Sequence, residues 1–205
     1  MDDTQLHPQS PVFRKQKQQS VVREVVETVI LTLIIFVVVH FSILPVSVDG
    51  PSMQPRLHTG DVMLVNLWAY RFGSPQRGDV IVFHPPDAPD QSYVKRIIGI
   101  PGDIITISPT AVYVNGTKLS EPYIAPLPAS GEENPTGAIP KLKLGPDQYF
   151  VMGDNRLNSR DSRFWVTTPV TRQMIEGKVQ IVIWPLNTAG FLQNYSSVFA
   201  GVKQP

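Results

Sequence analysis

A mainly antiparallel β protein preceded by a single apolar helix is what this sequence predicts. Three observations predict it. An uncharged run of 21 residues extends from Thr28 to Val48. Beyond it come short segments rich in branched residues and punctuated by Gly or Pro. Helical periodicity is scarce past residue 48. Charged residues make up 17 % of the chain, below the roughly 25 % of soluble domains, so part of the chain does not face water. The net charge of +1 supplies no basic field, and no nucleic-acid partner is expected. Cysteine is absent, which removes disulfides, thiolate nucleophiles and cysteine-based zinc sites. The four histidines, His7, His40, His58 and His84, form no HExxH and no close pair, and there is no nucleotide-binding glycine loop. No metal and no cofactor are therefore expected.

Taken in order, residues 1–24 are polar, Gln-rich and expected to be disordered. Residues 25–48 read as a membrane anchor, since about 20 apolar residues span a bilayer core as a helix. Arg14, Lys15, Lys17 and Arg23 precede the run and place the N-terminus on the cytoplasmic side. Pro45 is expected to end or kink the helix. The run exceeds the 7–15 residues of a removable signal peptide, and no small-x-small cleavage site follows, so the anchor is retained. His40 inside it is more simply a neutral residue than a proton carrier.

Residues 49–205 suffice for one core. Strands are expected at 62–66, 79–84, 92–100, 103–108, 111–120, 148–154 and 177–184. Asn115-Gly116 between alternating residues predicts a two-residue hairpin. The proline-rich stretch 121–146 reads as a surface excursion, and 168–175 as one or two helical turns.

Three stretches carry candidate chemistry. Ser52 lies four residues past the apolar run in DGPSMQPRLHTGD, where Gly50, Pro51 and Pro55 impose an irregular backbone. In SYVKRIIGIPGD, two adjacent cations sit in an apolar strand whose residues alternate sides, so one of them is expected to point inward. A lysine there loses affinity for its proton through desolvation. Serving as a base near neutrality takes a fall from about 10.4 to roughly 7–8, or about 3–4 kcal/mol. Arginine stays protonated, so Lys95 and not Arg96 is the candidate, although a lysine guarding an edge strand is the plainer reading of that strand alone. The third stretch, GDNRLNSRDSRFW, is dense in Asp, Asn, Ser and Arg. Its alternating Arg160, Asp161 and Arg163 fit an ion-pair lattice bracing a site.

PSMQP, GDVIVF, KRIIGIPGD and GDNRLNSRDSRFW occur in this order after one anchor, and in this the chain resembles the bacterial type I signal peptidases. The motifs run from residue 51 to residue 165. The resemblance implies the family's β-rich, barrel-like catalytic domain and a Ser/Lys dyad that removes signal peptides from secreted precursors. By the same resemblance Ser52 is the nucleophile and Lys95 its base. Ser159 orients the lysine amine, while Asp161 and Arg163 support that loop. The backbone at Ser52 and Gly50 forms the oxyanion hole, and Val48, Met53, Leu57, Tyr93 and Val94 line the substrate pocket. Secretory preproteins and the bilayer are the implied partners. The implied setting is a plasma membrane, or a thylakoid membrane, with the catalytic domain extracytoplasmic. Three positions depart from the pattern: Gly50 stands where some relatives have serine, Arg56 where threonine is common, and Val166 where glycine is common.

Rival readings are a Ser/His/Asp protease using His58 or His84, a membrane-tethered β domain that binds partners without catalysis, and a self-processing Ser/Lys protein of the SOS-repressor kind. The anchor and the lack of a DNA-binding segment argue against the last.

Overall fold

A computed structural model of the chain describes residues 12–134 and 138–205. It divides at residue 42 into a helical unit and the unit Ser42–Pro205.

The helical unit is α1, Val12–Ser42. Its stretch Val21–Ser42 is long and apolar enough to cross a membrane, since 22 residues at 1.5 Å each reach about 33 Å. Apolar side chains are exposed on every side of it, among them Leu31, Ile35 and Phe36, as suits a helix solvated by lipid. Thr28 and Thr32 donate their hydroxyls to the carbonyls of Glu24 and Thr28. Of the tail expected to be disordered, residues 12–24 are helical and 1–11 lie outside the described residues. The helix also ends earlier than the apolar run. Ile43–Ser47 forms strand β1, so residues placed in the anchor by sequence belong to the β unit. Pro45 sits in that strand, not in the helix; β1 is a sheet edge, where a missing N–H is tolerated.

The β unit continues with β2 (Val62–Asn66), β3 (Val80–Phe83), β4 (Tyr93–Gly99), β5 (Ile104–Ser108) and β6 (Ala111–Val114). Then follow β7 (Thr117–Lys118), β8 (Ile139–Lys143), β9 (Gln148–Met152), β10 (Val170–Thr171), β11 (Ile175–Trp184) and β12 (Gly190–Phe191). The larger sheet has the order β1-β2-β11-β3-β4-β9-β10, with β12 beside β11, and curls into a half-barrel. The smaller sheet runs β7-β6-β5-β8. Every pairing is antiparallel. The late strand β11 lies between β2 and β3, and so joins the two halves of the larger sheet.

Both faces of the central strands are covered, which is why they read as continuous apolar runs. Val80 and Val82 face a cluster with Met53, Leu57 and Met63, while Ile81 and Phe83 face another with Ile97, Tyr149 and Trp165. The smaller sheet packs Ile105, Ile107 and Val112 with Phe150 and Phe199. Asn115 and Gly116 both have positive φ, the conformation that a two-residue hairpin of this type demands. Two expectations give way. Residues 168–175 hold β10 and a 3₁₀ turn, Arg172–Met174, that leads into β11, because Val170 pairs with Tyr149 on β9. The stretch 121–146 is not a loose excursion. It contains β8, and Tyr123, Glu133 and Asn134 are buried.

Candidate active site

Ser52 sits on a turn beyond β1, on backbone fixed from two sides. Ahead of it, the Val48 N–H donates to Asp61 O and the Gly60 N–H to Val48 O. From the far loop, the Asn155 N–H donates to Ser52 O at 3.0 Å, and Asn155 Nδ2 to Pro51 O at 3.2 Å. The backbone of Pro51 and Ser52 is thus held in place by a segment about a hundred residues away in sequence. Gly50 has φ +89°, a conformation that L side chains rarely adopt, so a serine there would be strained.

Lys95 approaches from β4. Its Nζ lies 2.9 Å from Ser52 Oγ and 2.9 Å from Val94 O, and the residue is 3 % exposed. Burial lowers its pKa to about 8; the negative charges of Asp161 and Asp154 oppose the fall, and the positive charge of Arg163 assists it. An amine in this setting is close to balance between its charged and neutral forms at physiological pH. The strand alternation predicts one inward cation, yet both are buried. Arg96 points the other way and is fully buried, with a two-pronged ion pair to Asp154 at 2.9 and 2.7 Å and a third bond to Gly78 O at 2.9 Å. Its guanidinium lies 4.4 Å from the centre of the Tyr123 ring and 5.3 Å from that of Tyr195, with Arg56 on the other ring contact of Tyr195 at 5.3 Å. The unexpected Arg56 therefore joins a stack of cations and rings that reaches from the Ser52 segment to β4.

The loop 153–165 forms a lattice around Asp161, which is completely buried. This carboxylate accepts from Gly153 N at 3.0 Å, from Ser159 Oγ at 2.7 Å, and from Arg163 Nε and Nη2 at 2.8 Å each. Charge-assisted bonds of this kind are short and directional. Ser159 thus gives its proton to Asp161, whereas the hydrogen bonds of Lys95 go to Ser52 and Val94. Arg163 also donates to Glu133 O and Arg156 O at 3.1 and 2.8 Å. Arg156 pairs with Glu121 and, at 3.3 Å, with Glu133, and gives Nε to Gly153 O. The proline-rich stretch is therefore strapped onto this loop by two buried arginines. Gly153 has no room for a side chain: a Cβ there would stand 2.3 Å from Ser159 Oγ and 2.5 Å from Ser52 O.

Ser52 and Lys95 open onto a cleft of about 320 Å³ whose walls include Val46, Val48, Met53, Tyr93 and Val94, with Asp49, Gln91, Ser92 and Arg160 as polar members. Leu57 does not reach it; this side chain lies behind Met53 with no exposed surface. Neither His58 nor His84 lines the cleft; His84 Nδ1 meets Gln91 O at 3.1 Å. His40 lies between the Phe36 and Phe41 rings of α1. Among the described residues no group of His, Cys, Asp and Glu is arranged to hold a metal ion. A nucleophile with an amine base beside it, at the end of an apolar groove, is equipped for acyl transfer from an extended peptide. Asn155, Gly153, Glu121 and Glu133 escaped the sequence reading. Of these only Gly153 and Asn155 had a signal, their place in the polar loop.

A family model described as signal peptidase, peptidase S26, matches residues 21–184. Signal peptidase I S of Bacillus subtilis is 35 % identical over 175 residues, 83 % of this chain and 93 % of that protein. A probable signal peptidase I-2 of Synechocystis sp. is 39 % identical over 150 residues, 71 % of this chain and 65 % of that protein. A crystal structure of a signal peptidase I from Enterococcus faecalis is 31 % identical, with a TM-score of 0.45, covering 51 % of this chain and 96 % of that one.

Proposed function

The chain belongs to the signal peptidase family, peptidase S26, and on that premise we propose that Ser52 and Lys95 are the dyad with which it removes signal peptides from secretory preproteins. The family makes it a membrane-anchored serine endopeptidase. The observation that carries the residue assignment is the 2.9 Å approach of the buried Lys95 Nζ to Ser52 Oγ, with the lysine pKa lowered to about 8.

The chemistry follows from that pair. Neutral Lys95 takes the Ser52 proton as Oγ attacks the carbonyl carbon, and the tetrahedral oxygen is received by the backbone N–H of Ser52 at the turn that Gly50 shapes. Lys95, now an ammonium, gives the proton to the leaving amine. Water, deprotonated by the same lysine, then releases the acyl group from Ser52. Asp161 holds the hydroxyl proton of Ser159, so Ser159 offers its lone pairs to the lysine amine and orients it. Asp161 is in turn fixed by Arg163. Val48, Met53, Tyr93 and Val94 shape a shallow apolar groove for small residues at −1 and −3. Leu57 supports that wall from behind. The basic residues Arg14, Lys15, Lys17 and Arg23 in the first half of α1 favour a cytoplasmic N-terminus, which puts the catalytic unit on the far face of a plasma or thylakoid membrane, where precursors emerge.

Cleavage of a secretory precursor in detergent micelles by the wild-type chain, Ser52→Ala and Lys95→Ala tests this. Cutting after the −1 residue by the wild type, with both variants folded and inactive, is the expected result. Cutting by Lys95→Ala overturns the base assignment. Failure of the wild type to cut leaves a tethered binding domain as the reading.

A further inference from the structure

Arg160 is the cation of the cleft that the dyad chemistry leaves unused. It follows Ser159 in the bracing loop, yet its side chain turns outward and is 58 % exposed. Two weak contacts aim it. Its guanidinium pairs with Asp87 at 2.6 Å, from the loop between β3 and β4, and lies 5.7 Å from the centre of the Phe164 ring. An exposed pair of this kind adds little stability and exchanges readily for another carboxylate. The ring contact keeps the guanidinium over the cleft while the exchange takes place.

Its place along the cleft sets what it reads. Along the extended chain of β4 the cleft lining runs from Lys95 through Val94 and Tyr93 to Ser92 and Gln91, in the loop that also carries Asp87, with Val48 and Met53 among its apolar members. From Lys95 to Gln91 is four residues, roughly 13 Å of extended chain. An extended substrate whose −1 residue meets Ser52 and whose small −1 and −3 side chains fill the apolar part therefore brings its −4 and −5 residues to the polar end. Resting on the dyad reading above, we propose that Arg160 is a specificity residue for the segment just upstream of the cut. It selects an acidic side chain at −4 or −5, with Asp87 occupying the guanidinium while the cleft is empty. Asp49 is the other charge in the cleft; three residues before Ser52, it belongs to the cutting end and leaves this preference alone.

The test is kcat/KM in micelles for precursors that differ only at −4 or −5, carrying Asp, Ser or Lys, cut by the full chain. The wild type is expected to favour Asp over Lys by about 2–5-fold at low salt, the range of a single exposed ion pair, with the ratio shrinking as salt rises. Arg160→Glu should invert the order, Arg160→Ala should level it, and Asp87→Asn should widen it. Asp49→Asn should leave the ratio as it is. The proposal is overturned if Arg160→Glu keeps the wild-type order, or if the wild type shows no order at either position. Loss of cutting for every precursor by the wild type instead strikes the dyad reading, and so the two failures are told apart.

Discussion

Lys95 and Arg96 are neighbours on one strand, both almost wholly buried, and the fold treats them in opposite ways. Around Arg96 it supplies a carboxylate in two-pronged contact, a carbonyl at 2.9 Å and two aromatic faces. To Lys95 it gives a hydroxyl, one carbonyl, the Tyr93 ring at 5.3 Å and no carboxylate in contact. A buried cation is either matched by an anion or pushed towards neutrality. The matched one holds the strand in place, and the unmatched one is left able to move a proton.

Exchanging the roles breaks the comparison most severely. Lys95→Arg keeps the charge but cannot shed it, and cleavage should fall by about 10³–10⁴-fold, the contribution of a lost general base. On the opposite face, Arg96→Met strands Asp154 as an unpaired buried anion; urea unfolding should show a loss of about 3–5 kcal/mol. Ser159→Ala removes the group assigned to aim the lysine. Its kcat should drop by about 10²-fold with KM little changed, and unfolding should show a loss of about 1–3 kcal/mol because buried Asp161 loses a donor.

The same comparison predicts a gain. The folded pKa of Lys95 lies below the unfolded one, about 8 against 10.5. The unfolded chain therefore binds the extra proton, and the fold loses stability as pH falls from 10.5 to 8. Below 8 the full cost is present, on the order of 3 kcal/mol. Lys95→Met should accordingly unfold at higher urea at pH 7, with the advantage fading above pH 8 and gone past 10.5. Equal midpoints at pH 7 would mean that the lysine is not strained by burial. For the active chain, kcat/KM should fall about tenfold per pH unit below an apparent pKa of about 8, which precursor cleavage between pH 6 and 9 measures.

Much of this was legible in the residues. Strands of the larger sheet show as branched runs because both their faces are covered, and Asn115-Gly116 marks its hairpin through the positive φ that only a few residues accept. The pairing of Ser52 with Lys95 is read from the ordered motifs that carry the family resemblance; alone, a serine in a proline-flanked turn and a lysine in an apolar strand read as a turn residue and an edge guard. What stayed hidden depends on partners far apart in sequence. Nothing local tells that Glu121 and Glu133, in a proline-rich stretch, meet Arg156, or that Asn155 clamps the Ser52 turn. The end of α1 was misplaced for a similar reason. Ile43–Ser47 is as apolar as the helix before it, and only the presence of β2 turns it into a strand.

The position of β11 has a consequence in time. The half of the larger sheet that leads to Ser52, β1 and β2, and the half that carries Lys95, β3 and β4, are joined through a strand starting at Ile175. A ribosome reaches residue 175 eighty residues after residue 95 (175 − 95), or about 4–16 s later at 5–20 residues per second. For that interval the two halves are linked through the 153–165 loop, whose Asn155 meets the Ser52 turn and whose preceding strand β9 pairs with β4. On the dyad reading proposed above, the larger sheet that positions both side chains is complete only once β11 is made, long after the anchor.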